Sequence, residues 1–142
     1  MILVRLCIVF LSFVSTILGQ NKTLNQCTSL VDCEKKADLT SIHRKKITLL
    51  STGINEFSKD ATTQSLIPIY LKRARSILLE ANGDTGYSGE VVLKVTHKPE
   101  YKQVQLKKAE EDLSYIENHL SNCSQEQLKD FNELKGILQN SK

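Results

Sequence analysis

Tryptophan is absent from this sequence, glycine is scarce, and the only prolines are Pro68 and Pro99. With few chain breakers, and with leucine, lysine, glutamate and glutamine dominating the later half, the composition favours helix. No excess of one charge is present. The 19 basic residues face 16 acidic ones, too even a balance to argue for nucleic acid. No apolar run after residue 19 is long enough to cross a membrane. Internal repeats and low-complexity segments are also lacking. Of the four phenylalanines only Phe57 and Phe131 lie beyond residue 19, so the core reads as lean and aliphatic.

What is present begins with "MILVRLCIVFLSFVSTILG". Arg5 is followed by a mostly apolar run from Leu6 to Leu18, and Gly19 is a small residue at a cleavage point. This is the pattern of a secretory signal peptide. The run of about thirteen residues falls short of the roughly 20 that a membrane helix needs. Residues 20–142 then read as one secreted helical domain, not inserted in a membrane once the signal is removed. At about 123 residues it is long enough for a single core.

Cys7 leaves with the signal, so Cys27, Cys33 and Cys123 remain in an oxidising route where thiols pair. Three is odd: one thiol stays free, or it joins two chains as a disulfide-linked dimer. "CTSLVDC" has no second pair and no nearby histidine to complete four zinc ligands. Neither metal nor cofactor is expected. A bridge from Cys27 or Cys33 to Cys123 is expected instead, tying the first element to the last joint. A loop of that length is worth roughly 4 to 5 kcal/mol in the chain-entropy model.

Four helical segments follow from periodicity. Ile47, Leu50, Ile54 and Phe57 form one stripe, with Leu39 and Ile42 extending it upstream and Gly53 weakening it by roughly 1 kcal/mol. Leu66, Tyr70, Ala74, Ile77, Leu78 and Ala81 form the second. Pro68 belongs in a first turn, which puts the start near Ser65, and Asn82-Gly83 ends the helix. Leu106, Ala109, Leu113, Ile116 and Leu120 make the third stripe. Ser124 caps the fourth helix, with Gln127 at the capping-box position and Leu128, Phe131, Leu134 and Leu138 on the apolar face. Between the second and third helices, the valine-rich segment 90–96 reads as a short strand or extended stretch. Before Asp38, Leu24, Leu30 and Val31 fit either a short helix or a docked arm. The expected fold is all-α, a four-helix bundle with a short extended segment between its second and third helices.

Catalytic patterns are not found. "GYSGE" lacks the spacing and the preceding strand of a nucleophile elbow and reads as a turn. His43, His97 and His119 are scattered, and His43 falls at the boundary of an apolar stripe. Glu110, Glu111 and Asp112 read as a solvated face rather than an acid–base pair. The chain is therefore not expected to be an enzyme. Two basic clusters, Arg44-Lys45-Lys46 and Lys72-Arg73 with Arg75, serve solubility or form a recognition face. Asn21 and Asn122 head N-glycosylation sequons, the second overlapping Cys123.

The run "KQVQLKKAEEDLSYIENHLSNC" followed by "SQEQLKDFNELKGIL" resembles the last two helices of the short-chain four-helix cytokines of the interleukin-4 and interleukin-13 type. "YLKRARSILLEANG" is similar to their second helix. The resemblance covers roughly residues 65–138. It implies a secreted signalling ligand that binds a cell-surface receptor through exposed faces of the first and third helices, here around Arg44 and Lys45 and around Glu110 and Glu111. Those cytokines have a long crossover between the first two helices and more cysteines, and this sequence has neither. The competing expectation is a secreted carrier or effector that holds an apolar ligand, which needs a roomy cavity.

Overall fold

The computed structural model describes residues 26–87 and 96–142. These are all-helical, with five α-helices: α1 (Leu30–Asp38), α2 (His43–Phe57), α3 (Thr63–Ala81), α4 (Pro99–Glu117) and α5 (Gln125–Ser141). No strand appears among the described residues. The signal segment, Asn21, Leu24 and nearly all of the valine-rich stretch lie outside them.

The helix ends follow local chemistry. Ser29 accepts from the Asp32 N–H, and the Asp32 carboxylate accepts from the Thr28 N–H at 2.9 Å, so α1 starts at a reciprocal cap. Leu30 and Val31 thus belong to a helix of their own. Leu39 is 87% exposed and caps the end of α1, and Ile42 only precedes the first residue of α2, so neither extends that helix as the apolar spacing predicts. Thr62 caps α3. This places Pro68 in the second turn rather than the first, where it leaves the Gln64 carbonyl without its helical donor on an exposed residue that water can reach. Asn82-Gly83 ends α3 as expected. Gly83 has φ 91°, its N–H reaches the Glu80 carbonyl, and the Asp84 N–H reaches that of Leu79. Pro99 opens α4 at a position where no N–H is needed. The α5 cap is the expected box, with Ser124 and Gln127 bonding each other's backbone N–H.

Helix α3 is buried on nearly every side, with Leu66, Ile67, Ile69, Leu71, Ala74, Ile77 and Leu78 all in the interior, which marks it as the central helix. It divides the core in two. On one side Leu30, Ala37, Leu49, Leu50 and Ile54 of α1 and α2 pack on Leu66 and Ile69. On the other, Leu106, Leu113 and Ile116 of α4 and Phe131 and Leu134 of α5 pack on Ile67, Leu71 and Leu78. Cross-links show that successive helices alternate in direction from α2 onward. Arg44 at the start of α2 meets Glu80 at the end of α3, Lys142 after α5 meets Glu110 within α4, and Asn82 meets Ser141 where α3 and α5 end together. The link at residues 58–62 is short and partly 3-10 helical, so no long crossover joins α2 to α3. Leu120 falls in the 3-10 turn after α4 and is exposed, so the third stripe ends at Ile116.

The cysteine pairing differs from the expected staple. Cys27 is bonded to Cys33, and Cys123 is a free, half-buried thiol. The reason is local. Ser29 starts α1 close behind Cys27, which brings the two cysteines to a Cα separation of 5.0 Å. Cys33 is fully buried against Gly53, where a Cβ would lie 3.0 Å from that of Cys33. Gly53 thus allows α1 to approach α2 closely, a gain set against its helix-weakening effect.

Candidate functional site: a polar seam along the central helix

One line of α3 carries polar side chains toward both α2 and α4. Tyr70, Arg73, Ile77 and Glu80 follow each other by three, four and three residues, a single stripe of a helix. The three polar members of this stripe join neighbouring helices. Tyr70 stacks on Tyr115 of α4 with ring centroids 4.1 Å apart. Arg73 donates to Ser51 of α2 at 3.1 Å and makes two bonds to Asp112 of α4, at 2.9 and 2.6 Å. The Glu80 Oε1 accepts from Arg44 Nε of α2 at 2.9 Å and from the Tyr101 hydroxyl of α4 at 3.0 Å. The seam links α2 and α4 through α3, on which each packs more extensively than on the other.

Burial sets the electrostatics. The Asp112 side chain is 2% exposed. Burial pushes its carboxyl up, against the pull of Arg73. Burial also works against the Arg73 charge, but the hydrogen bond and attraction of Asp112 outweigh it and hold the guanidinium up. Burial raises the Tyr70 phenol. Tyr101 and then Glu80 raise Arg44. The Asp112 result is a correction: it belongs to the interior and not to a solvated face, whereas Glu110 and Glu111 beside it are exposed.

The charged clusters divide accordingly. Lys72 bonds Glu34 and Asp38 of α1, and Arg75 pairs with Asp130 and Glu133 of α5, so with the bonds of Arg73 to α2 and α4 this cluster ties α3 to all four other helices. Arg44 is tied to Glu80 although its side chain is 69% exposed. Lys45 is exposed and makes no ion pair among the described residues. Along α4, Tyr101, Val104, Lys108, Glu111 and Tyr115 fall on one flank, with steps of three, four, three and four. At its N-terminal end this flank reaches α2, where Tyr101 meets Arg44, and at the other end Tyr115 stacks on Tyr70 of α3. Glu110 turns the other way and pairs with Lys142 after α5. The structure therefore separates Glu110, turned toward α5, from Glu111, on the flank that meets Arg44.

The seam ends in an open depression of about 320 Å³ lined by Ile42, Arg44, Glu80, Thr85, Tyr87 and His97. Several backbone features build its wall. The His43 N–H donates to the Thr85 carbonyl at 3.1 Å, supplying the first turn of α2 with an acceptor that no cap residue provides. Gly86 has φ +74°, and a Cβ there would overlap the Ser41 carbonyl. The His97 ring lies 4.6 Å from that of Tyr101. His43 is buried, with Nε2 3.6 Å from Asp84 Oδ1. The sequence reading puts it at the boundary of the apolar stripe, whereas the structure buries it.

At the far end of α4, Asn122 is exposed in the turn before α5, and Cys123 follows with its thiol 3.7 Å from the His119 carbonyl. Burial pushes that thiol up. Among the described residues no group of three or more His, Cys, Asp or Glu side chains is placed to hold a metal ion. No helix among them is long and apolar enough to cross a membrane. Sequence reasoning missed Glu80, Tyr101 and the pairing of Arg73 with Asp112. The available signal was Tyr70, Arg73 and Glu80 at helical spacing on a helix with many apolar positions. Comparison with protein-family models, curated proteins and solved structures yields no match.

Proposed function

We propose that this chain is a secreted ligand for a cell-surface receptor, recognised through the face between α2 and α4. The observation that carries the reading is the seam. Its side-chain bonds link α2 and α4 through α3, and the recognition face is taken to comprise the exposed Lys45 and Thr48 of α2 and the exposed Val104, Lys108 and Glu111 of α4. Val104 is 53% exposed, and neither Lys45 nor Lys108 makes an ion pair among the described residues. An exposed apolar residue ringed by charges without local partners suits a protein partner of opposite charge. The reading takes α2 to α5 as a four-helix bundle with α1 added against α2. It draws on the interleukin-type resemblance for secretion and for recognition by helix faces. It does not draw on it for connectivity, because cytokine bundles run up-up-down-down with two long crossovers and α2 to α5 alternate.

The carrier reading is less well supported. Leu50, Ile67, Leu78, Ala109 and Leu134 are completely shielded, so the two halves of the core are filled by their own side chains. Expression of the full chain in eukaryotic cells tests the proposal. Protein should accumulate in the medium, and a fluorescent conjugate should bind a panel of cells saturably, with binding removed by excess unlabelled protein and by trypsin treatment of the cells. Retention inside the producing cells, or binding that never saturates, counts against it.

A further inference from the structure

The depression at the end of the seam has features that the receptor face does not need. Its volume of about 320 Å³ is at the lower end of the roughly 300–1,000 Å³ typical of small-molecule sites. Two charged side chains line it, and they differ in access. The Glu80 side chain is 6% exposed and its Oε1 already accepts from Arg44 and Tyr101. The Arg44 side chain is 69% exposed. Only its Nε, toward Glu80, and one Nη, toward Tyr101, are engaged among the described residues. A guanidinium presents five N–H groups, so an entering molecule meets unused donors before it meets the carboxylate. Tyr87, 55% exposed, stands at the rim, and the His97 ring leans on Tyr101 within the wall. His97 Nε2 is shielded from solvent and has no hydrogen-bond partner among the described residues. Buried polar atoms are rarely left this way.

We propose that this depression binds a small flat organic acid, with its carboxylate or sulfonate on the free N–H groups of Arg44 and its ring against Tyr87 and His97. The acid end takes up donors that Glu80 leaves unused, and a planar guanidinium matches a carboxylate in two-bonded geometry. The aromatic side chains favour a planar body by stacking. The same contact brings the ligand beside His97, where a small ring rotation gives Nε2 a partner. An amine of the same size is disfavoured because the accessible charge is the cation of Arg44.

The test uses the full chain expressed in eukaryotic cells and purified, titrated with the aromatic sulfonate 8-anilino-1-naphthalenesulfonate and followed by its fluorescence. Saturable binding of one dye per chain is expected. Arg44→Gln and His97→Ala should each weaken it at least tenfold, with helical content unchanged by circular dichroism. Arg44→Lys should retain part of the affinity. The neutral dye N-phenyl-1-naphthylamine should bind at least tenfold more weakly. Should Arg44→Gln perturb the fold through Glu80, His97→Ala, which removes a ring contact with Tyr101 but no hydrogen bond among the described residues, decides alone. Binding that does not saturate, that survives His97→Ala, or that the neutral dye matches would overturn the proposal.

Discussion

Arg73 and Asp112 face each other across the contact between α3 and α4 in a two-bonded ion pair, 2.9 Å from Nε to Oδ2 and 2.6 Å from Nη2 to Oδ1. With side chains 17% and 2% exposed, both partners are largely withdrawn from water. Their attraction is offset by the cost of removing the charges from solvent, so the pair adds little net stability, but removing one partner leaves an uncompensated charge. Asp112→Ala should therefore lower the unfolding free energy by about 3 kcal/mol or more, read from urea titration. The double change Arg73→Met with Asp112→Leu should recover most of that loss. A cost below about 1 kcal/mol for the single change would show that Arg73 finds another partner.

The cysteine assignment is checked by mass. Native protein treated with iodoacetamide should take up one carbamidomethyl group, on Cys123, and reduction should expose two further sites at Cys27 and Cys33. Labelling of Cys123 should be slow near neutral pH, because burial raises its thiol and the thiolate is the reactive form. The Cys27–Cys33 ring is small and worth about 2 kcal/mol in the chain-entropy model, well below the value of a bridge to Cys123. A peptide containing Cys123 joined to either partner would contradict the structure.

The readable and the unreadable parts of the chain differ in range. The Ser124–Gln127 box and the Asn82-Gly83 stop depend on residues within a few positions of each other, and both are where the sequence puts them. Helix α1 was ambiguous because its buried residues are only Leu30, Cys33 and Ala37, a stripe with one large aliphatic side chain. Asp112 looked solvated because its partner Arg73 lies 39 positions away in a cluster that reads as surface charge. Burial of both follows from α4 packing on α3, a tertiary fact that no local period contains. The disulfide followed the same logic in reverse: a close pair at Cys27 and Cys33 was available, and the longer bridge drew on loop entropy without regard to where α1 begins.

Gly86 gives a conformational prediction. Its positive φ and its contact with the Ser41 carbonyl leave no room for a Cβ. Gly86→Ala should cost about 2 kcal/mol and should weaken the Thr85 bond to the His43 N–H that starts α2. Amide hydrogen exchange at His43 should rise more than exchange in α5. Equal change in both helices would indicate global destabilisation rather than a local loss.

Acid should loosen the start of α1. The hydrogen bonds of Asp32 with Lys36, and then with the Thr28 N–H, hold its carboxyl below the usual 3.8. A lowered folded-state value means that its contribution is present above pH 3.8 and is lost as pH falls through the folded value. The Thr28 amide resonance, followed by NMR from pH 5 to pH 2, should therefore shift with a midpoint below 3.8. A midpoint at or above 3.8 would show that the cap is not formed in solution.

The central claim is that the α2/α4 face binds a receptor, and a single comparison tests it. The variant Lys45→Glu/Val104→Arg/Lys108→Glu alters that face, while Lys129→Glu alters an exposed position on α5. Exposed changes of this kind usually shift stability by less than about 0.5 kcal/mol each, so both proteins should keep the parent's circular dichroism spectrum. In flow cytometry on cells that bind the labelled parent, the account predicts at least a tenfold loss of apparent affinity for the triple variant and none for Lys129→Glu. Undiminished binding by the triple variant, or an equal loss for both, would contradict it.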